Sequence, residues 1–293
     1  MKIIAFCLLT LCLICSFIVY GQQKKTTEVS ITGHVYEPAR LEPTEARINQ
    51  LRLPAGFRIQ KFAEIQNPRM LVVAPDGTIY VSQRDPGTVS MLKDIDGDGV
   101  ADVQRVVAQK ERLHGLAIHQ GRMYLAAVRE VFVSDINQDG TLSPLQMIIN
   151  DLPDGGQHPN RTLAVGPDNM LYISIGSSCN ACTETNPEHA TMLRAGLDGR
   201  NRKVFASGLR NTVGFGWHPV SKRQFGFDHG IDWLGNEVQH EEINELVEGA
   251  KYGWPYVYDD GRINPHGQPP PSLGLTKEDW AKQSKQPLLM YTP

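Results

Sequence analysis

The sequence has almost no excess of charge of either sign. Its 29 lysine and arginine residues face 32 aspartate and glutamate residues, which gives a formal net charge of -3 at pH 7. Domains that bind nucleic acid usually carry a basic surplus. The composition therefore argues against a nucleic-acid partner and is typical of an ordinary globular protein.

Long apolar runs are scarce as well, and the chain has one, at its N-terminus. Residues 3–20 read IIAFCLLTLCLICSFIVY, after Lys2 and before Gly21. A charged start, an apolar core and a small residue before a polar run are typical of a signal peptide. We therefore expect residues 1–21 to be a signal peptide. A membrane anchor stays open as the alternative, because the run is long enough to span a bilayer. After removal of the signal the protein should be periplasmic or secreted, with no stable membrane span.

Cysteine becomes rare once this leader is set aside. Of five cysteines, only Cys179 and Cys182 lie beyond it, in the tetrapeptide CNAC. A c-type haem would need histidine where Thr183 stands, a thioredoxin-like site would need a βαβ context, and a zinc site would need two more ligands. In an oxidising compartment we expect the pair to form a local disulfide.

A strand–turn–strand pattern occurs four times after a polar leader or linker at 22–50. The aromatic residue that follows each turn recurs at intervals of about 44 to 53 residues, at Tyr80, Tyr124, Tyr172 and Phe225. The four stretches are MLVVAPDGTIYVSQ (70–83), GLAIHQGRMYLAAV (115–128), TLAVGPDNMLYISIG (162–176) and TVGFGWHPVSKRQFGFDHG (212–230). Asp-Gly and related turns between apolar runs indicate β-hairpins.

This repeat predicts an all-β protein, a β-propeller in which each unit is one four-stranded blade. A lone blade cannot bury both of its faces, so the blades must stack around an axis. Residues 51–293 supply about four blades and part of a fifth, and the sequence stops at LLMYTP without a turn. We therefore expect a partial propeller domain over 51–293, C-terminally incomplete and part of a longer protein.

Two acidic segments lie between the repeated hairpins, DIDGDGVAD at 94–102 and DINQDGTLS at 135–143. Both resemble the start of a calcium loop, but Arg105 and Gln146 stand where such a loop needs a bidentate glutamate. Tight hairpin turns at the blade edge are the preferred interpretation, and calcium binding stays open.

Polar residues gather just before the inner strand of each predicted blade. The segments ERLHG, GGQHPNR and GLRN precede three of these strands, and DHGIDW follows a strand of the fourth copy. Because the loops at one mouth of a propeller converge on its axis, we expect their side chains to meet there. The side chains concerned are those of His114, His158, Arg161, Arg210, Asn211, Asp228 and His229.

Four stretches together resemble the pyrroloquinoline quinone (PQQ)-dependent sugar dehydrogenases. They are GGQHPNRTLAVGPDNMLYISIGSSCNACTETNPEHATMLR, FASGLRNTVGFGWHP, FDHGIDW and EEINELVEGAKYGWP. The chain is closest to the sorbosone dehydrogenase-like branch and is similar to soluble glucose dehydrogenase. The resemblance extends roughly over 51–258, and GLRN combined with EEIN and YGWP at this distance is its most specific part.

The resemblance implies a six-bladed propeller of four-stranded blades, with PQQ lying over the axis. His158 would remove the proton from the sugar hydroxyl while the hydride passes to the quinone. Arg210 and Asn211 would bind carboxylate or carbonyl groups of PQQ. Gln157 and Arg161 complete the set of expected cofactor-binding residues. Arginine suits this role because PQQ is a tricarboxylate.

Two calcium ions are implied in addition. One would polarise the quinone and be held by the backbone carbonyls of Gly230 and Ile231. The other, structural in the family, would draw on Glu242 and the backbone of Tyr252. The chain departs from the family pattern in two places, because glucose dehydrogenase has aspartate at the position of Gln157 and the calcium loop usually has proline at that of Ile231.

The preferred function is an exported dehydrogenase of a sugar or related aldose, with an external electron acceptor because no haem motif is present. Two alternatives stay open. A calcium-dependent propeller lactonase would hold its metal with acidic residues on the axis, whereas these inner loops are rich in histidine and arginine. A non-enzymatic propeller that binds a ligand is compatible with the fold alone.

Overall fold

The computed structural model describes residues 41–42, 44–232 and 239–292. The expected signal peptide and most of the expected leader lie outside these ranges. A boundary between Phe57 and Arg58 divides the chain into two units. In the first, a single helical turn, α1 (Glu45–Ile48), begins at Thr44, whose hydroxyl accepts from the amide of Arg47. No helix within the described ranges has the length and apolar character needed to cross a bilayer.

The described part of the second unit contains four antiparallel sheets of four strands. The first three are each made by a contiguous stretch of chain, and the fourth takes its outer strand from further along. The first sheet contains β1 (Pro68–Val73), β2 (Ile79–Gln83), β3 (Thr88–Lys93) and β4 (Val103–Gln109). The second contains β5 (Gly115–His119), β6 (Arg122–Ala126), β7 (Val131–Asp135) and β8 (Gln146–Ile149). The third contains β9 (Leu163–Val165), β10 (Leu171–Ile175), β11 (Thr191–Ala195) and β12 (Lys203–Ser207). The fourth begins with β13 (Thr212–Trp217), β14 (Gln224–Asp228) and β15 (Glu241–Leu246).

All four predicted hairpins are present, as the pairs β1–β2, β5–β6, β9–β10 and β13–β14. Their turns have the backbone that tight hairpins need. Gly77 and Asn169 have positive φ, and Gln120 and Gly121 are both left-handed, as a two-residue turn of type I′ requires. Local sequence chemistry therefore sets the register of each innermost strand pair.

Successive sheets pack face to face, as in a propeller. The inner strands β1 and β5 are in contact, as are β5 and β9, and β10 contacts β13. Tyr80, Tyr124 and Tyr172 are buried in three successive apolar clusters between the sheets. The Tyr80 hydroxyl also donates to the carbonyl of Gly140, in a turn of the second sheet, at 2.7 Å. The expected all-β propeller of four-stranded blades is confirmed in this part of the chain.

The segment after β15 differs from the expected start of a fifth sheet. It forms a short hairpin of β16 (Val257–Tyr258) and β17 (Arg262–Ile263), a 3₁₀ turn (Pro271–Leu273) and α2 (Lys277–Gln283). It then returns as β18 (Leu289–Tyr291), which pairs with β15 as the outer strand of the fourth sheet. The reason is the open edge of β15, whose amides and carbonyls need a partner strand.

The two acidic segments are hairpin turns, between β3 and β4 and between β7 and β8. Their carboxylates accept from local amides, for example Asp94 from Gly97 and Gly99 at 2.7 and 2.9 Å. In the second turn Asp139 accepts from the amide of Thr141 at 2.9 Å. Aspartate that bonds the backbone a few residues on is a common way to stabilise a tight turn.

Candidate functional site

The entrances of the four inner strands converge on one pocket of about 350 Å³. Its described lining includes none of the acidic residues, and it contains one arginine, two histidines and several amides and hydroxyls. The residues that line it are Pro68, Arg69, Met70, His114, Gln157, His158, Pro159, Asn160, Thr162, Asn211, Thr212 and Val213. Of the residues that the sequence placed at the mouth, His114, His158 and Asn211 are brought together here.

His158 is half-buried on the wall of the pocket. Its Nδ1 lies 3.0 Å from the carbonyl oxygen of Ser177 and 2.9 Å from the hydroxyl of the same residue. The pKa of His158 is lowered, first by removal of the ring from water and then by the positive charge of Arg210. The ring fits because residue 176 is glycine: a Cβ there would lie 2.4 Å from the Cβ of His158.

A second imidazole, that of His114, lines the same pocket. Its Nδ1 lies 3.0 Å from the carbonyl oxygen of Arg161. Burial is the largest cause of its lowered pKa, and the charges of Arg69 and Arg84 act in the same direction. Both rings are therefore held as neutral imidazoles near neutral pH, which is the form that can accept a proton.

Arg161 is placed beneath the pocket and not on its surface. Its side chain is fully buried and donates to four carbonyl oxygens at 2.8–3.0 Å. These carbonyls belong to Val128, Pro153, Asp154 and His158. Burial lowers the pKa of Arg161 to about 10, so the guanidinium stays charged at neutral pH. Each of its three nitrogens donates to a backbone carbonyl, so the guanidinium holds loop segments in place of the expected contact with a cofactor.

Arg210 is also buried and committed to protein partners. Its Nε donates to the carbonyl of Asn180 at 3.0 Å, and Nη2 donates to the Asn180 side chain and to Asp232 at 2.6 and 2.8 Å. The Asp232 carboxylate thus neutralises this charge. Gln157 is exposed, with its amide 3.4 Å from the same carboxylate. Of the expected cofactor-binding pair, only Asn211 presents a side chain to the pocket.

Asp228 supports the backbone behind Asn211. Its carboxylate is buried and accepts from the amides of Arg210 and Asn211 at 2.9 and 3.1 Å and from the hydroxyl of Thr212 at 2.8 Å. Burial raises the pKa of Asp228 to about 7, against the opposing effect of these hydrogen bonds. The sequence placed this residue at the mouth, whereas the structure places it under the strand that forms the mouth.

Residues of both expected calcium sites, Gly230 from one and Glu242 and Tyr252 from the other, surround one small cavity. Gly230, Glu242 and Tyr252 line a space of about 10 Å³ together with Asp228, among others. That volume is about one water-sized sphere. Burial raises the pKa of Glu242 to about 8, and the Asp228 carboxylate acts in the same direction. Ile231 does not line the cavity, and its side chain belongs to an apolar cluster with Trp254.

The oxygen groups of this cavity suit a calcium ion, whereas the guanidinium of Arg210, which also lines it, opposes one. Calcium prefers oxygen ligands, including carboxylates and carbonyls, in loose geometry. Burial disfavours the charged forms of the Asp228 and Glu242 carboxyl groups. A divalent cation bound beside them would stabilise both charged forms. Each Glu242 oxygen already accepts one hydrogen bond, from Asn244 at 2.9 Å or from Asp259 at 3.0 Å. A carboxylate oxygen has a second lone pair, so these bonds leave room for a metal ligand.

Cys179 and Cys182 are joined by a disulfide, which closes the CNAC loop beside His158. Asn180, within that loop, is buried, and its carbonyl accepts from Trp254 at 3.1 Å as well as from Arg210. Arg210, which the sequence assigned to the cofactor, therefore holds this loop in place together with Trp254.

Two further residues escaped the sequence analysis. Arg69 lines the pocket from the start of β1, where the β1–β2 register shifts between Pro68 and Leu71. Its guanidinium is exposed and makes no ion pair with another described residue. Position was the available signal, because Arg69 stands directly before the repeated stretch 70–83, as the other mouth residues stand before theirs. Ser177, completely buried, gave no signal.

Residues 51–249 match the family model described as TrAA12-like. Among curated proteins, an uncharacterised protein of Borreliella burgdorferi is 25% identical over 229 residues, covering 73% of this chain and 59% of the relative. The chain thus spans less than two thirds of that relative.

Two solved structures have a similar fold. One is the holo form of the PQQ domain of pyranose dehydrogenase from Coprinopsis cinerea, with a TM-score of 0.64 and 17% identity, covering 78% of this chain and 66% of that one. The other is a calcium structure of a carbohydrate-active enzyme of family AA12 from Trichoderma reesei, with a TM-score of 0.62 and 22% identity, covering 77% and 68%. At these identities the likeness establishes the fold.

Proposed function

This chain belongs to the TrAA12-like family, and we propose that it is part of an exported PQQ- and calcium-dependent dehydrogenase that oxidises a sugar or a related aldose. The observation that carries the proposal is the pocket at the entrances of the inner strands. It combines a neutral imidazole at His158, an exposed guanidinium at Arg69 and the amide of Asn211, without an acidic residue among its described lining. Such a pocket suits an anionic cofactor and a proton acceptor beside it.

His158 is the proposed base. Its ring is half-buried and its pKa is lowered, so it is neutral at the pH of an extracellular or periplasmic space. A neutral imidazole takes a proton from a hydroxyl that lies within hydrogen-bond reach. Bound PQQ would supply the hydride acceptor, which the protein side chains cannot provide. Removal of the hydroxyl proton by His158 would accompany that transfer.

The cofactor-binding roles are distributed differently from the family-based expectation. Asn211 and Arg69 are the groups that the pocket offers to carboxylate or carbonyl oxygens. Gln157 is an exposed amide next to the base and can donate to the same ligand. Arg161 and Arg210 act one layer further out, where they hold the loops that carry His158 and Asn211.

Calcium is proposed at the cavity formed by Gly230, Glu242 and Tyr252, with Asp228 as an additional carboxylate. The backbone carbonyls of Gly230 and Ile231 are the ligands that the family resemblance implies for a quinone-bound calcium. Asp228 accepts from the amide of Asn211, so an ion in this cavity would also stabilise the backbone that presents Asn211 to the pocket.

A propeller lactonase is less well supported, because such an enzyme needs carboxylates around an axial metal and the described pocket lining has none. The substrate is proposed as a small sugar or related aldehyde, and the electrons would pass to an external acceptor. Export is proposed from the N-terminal sequence alone.

The decisive experiment is oxidation of a panel of aldoses by the full-length protein, read with an artificial dye acceptor, with and without PQQ and calcium. We expect turnover only when both are added, and PQQ binding measurable by calorimetry. His158→Ala should abolish turnover and leave PQQ affinity nearly unchanged, whereas the exposed His266→Ala should behave as wild type. Absence of both PQQ binding and PQQ-dependent turnover would sink the proposal.

A further inference from the structure

A neutral imidazole carries its hydrogen on one ring nitrogen and accepts with the other. For His158 this choice has a chemical consequence. Only a ring whose pocket-facing nitrogen lacks hydrogen can take a proton from a ligand. Since Nδ1 is engaged with Ser177, Nε2 is the ring nitrogen left for the pocket.

The backbone of Ser177 restricts the choice. Its carbonyl oxygen lies 3.0 Å from Nδ1 of His158. A carbonyl oxygen can only accept. A hydrogen bond at this distance therefore requires the hydrogen to be on Nδ1.

The hydroxyl of Ser177 acts in the same direction. Its Oγ lies 2.9 Å from Nδ1 of His158 and 2.6 Å from the carbonyl oxygen of Cys179. A hydroxyl has one hydrogen, and the carbonyl of Cys179 cannot supply another. The hydroxyl therefore donates to Cys179 and offers only lone pairs to the imidazole. Both groups that face Nδ1 are acceptors.

Ser177 has little freedom to change this arrangement. The residue is completely buried, and its amide donates to the carbonyl of Arg210 at 2.7 Å. Cys179, which takes the hydroxyl hydrogen, is closed into the disulfide with Cys182. The next residue, Asn180, is held by the guanidinium of Arg210. Rotation of the hydroxyl away from Cys179 would leave a partly buried carbonyl without its donor, which is unfavourable.

We propose that Ser177 is a positioning residue, which holds neutral His158 in the Nδ1–H form and leaves Nε2 as an unprotonated acceptor toward the pocket. The inference rests on the proposed function at one point only, because the proposed function gives the unprotonated Nε2 of His158 the role of a base. The partner of the imidazole is here an uncharged serine. Among the described residues, the ring's hydrogen-bond partners include no carboxylate.

The tautomer can be measured by nitrogen-15 NMR of the full-length protein labelled at histidine, at neutral pH and without cofactor. Two-bond proton–nitrogen correlations distinguish the two neutral forms. We expect His158 to carry hydrogen on Nδ1. His114, whose Nδ1 faces a backbone carbonyl of Arg161 at 3.0 Å, is the internal control with the same expected form. Hydrogen on Nε2 of His158 overturns the proposal.

Two variants test the hydroxyl itself. Ser177→Ala keeps the carbonyl and removes one acceptor, so the Nε2–H form should appear in part at His158 while His114 is unchanged. Ser177→Thr keeps a hydroxyl and should restore the wild-type pattern. If Ser177→Ala leaves the His158 tautomer unchanged, the hydroxyl has no positioning role. If the variant does not fold, the wild-type spectrum still decides the tautomer.

Activity gives a separate readout. Loss of one hydrogen bond, about 1 kcal/mol, corresponds to a decrease in kcat of about five-fold. We expect this decrease for Ser177→Ala with KM unchanged, and recovery in Ser177→Thr. An Nδ1–H tautomer in a protein without PQQ-dependent turnover would contradict the proposed function alone. Full turnover with the Nε2–H tautomer would contradict the role of Ser177 alone.

Discussion

Arg161 donates from Nη1 to the carbonyl oxygen of His158, 3.0 Å away. The same guanidinium donates to carbonyls on two further loop segments, at Val128 and at Pro153 and Asp154. The last residue of the GGQHPNR loop is therefore the one that fixes the shape of that loop. The position of the imidazole depends on a charge buried beneath it.

Replacing this guanidinium should cost more stability than any exposed charge. Arg161→Lys keeps the charge but cannot satisfy four carbonyls in a fork, so buried acceptors lose their partners. We expect the free energy of unfolding to fall by about 3 kcal/mol, on the scale of a lost charged hydrogen bond with its unsatisfied partners. Chemical denaturation measures the change. Arg200→Lys, at a side chain 84% exposed, is the matched control and should change little. Equal effects of the two substitutions would contradict the assignment.

Calcium should stabilise the protein through Glu242. Addition of calcium in excess of its dissociation constant raises the melting temperature, because the ion binds the folded state alone. Glu242→Gln should abolish this increase, and chelation should reverse it in wild type. Asp94→Asn, in the exposed acidic turn between β3 and β4, should leave the calcium response intact. A response lost in Asp94→Asn and kept in Glu242→Gln would move the site to the turn.

The pH dependence of turnover should follow the lowered pKa of His158. Burial and the charge of Arg210 both disfavour the imidazolium. The ring therefore loses its proton at a lower pH than a free histidine, and kcat/KM should rise with pH to a plateau whose midpoint lies below the ordinary histidine pKa. Ser177→Asp would place a carboxylate beside Nδ1 and should raise that midpoint by about 1–3 units. A midpoint that does not move would show that another group controls the rate.

Acidification should destabilise the folded protein through His114. Burial lowers its pKa, so the unfolded chain binds more protons than the folded one as the pH falls through the range of a free histidine. The contribution of neutral His114 to the free energy of unfolding is therefore present above that pH range and is lost below it. His114→Gln should flatten the decrease in melting temperature between neutral and mildly acidic pH. His266→Gln, at an exposed position, should leave the decrease as it is in wild type.

Arg69 should contribute to the binding of an anionic ligand. Its guanidinium is exposed at the pocket and has no ion pair with another described residue, so it is free to contact a carboxylate. We expect Arg69→Gln to weaken PQQ binding by about ten-fold, the effect of one charged contact of about 1.4 kcal/mol. Calorimetry at two salt concentrations measures the change, because an electrostatic contact weakens with salt. Arg112→Gln, outside this pocket, is the control.

The sequence predicted the fold through local signals. Asp76-Gly77 and Asp168-Asn169 fix two of the repeated turns, and the tyrosines after the turns fill the space between sheets. The return of β18 to β15 could not be predicted in this way. It depends on an edge that becomes visible only when the fourth sheet is assembled, and the helix before it, α2, has only seven residues.

The site was predictable in its location but not in its orientation. The sequence indicated that the segments with His114, His158 and Asn211 meet at one mouth. It could not indicate that Arg161 and Arg210 point away from it, because an arginine before a strand can satisfy either a ligand or the carbonyls of its own loop. Burial decides between the two, and burial is a property of the assembled loops.

The fourth sheet has a consequence for the order in which the protein folds. Its outer strand, β18, begins roughly 40 residues after β15 ends. The loop between them must close before the sheet has its fourth strand, and the entropic cost of closing a loop grows with its length. Pairings between strands distant in sequence also form more slowly than local hairpins. The hairpin of β14 and β15 should therefore form first, and the outer edge of β15 stays open to other strands until β18 is in place.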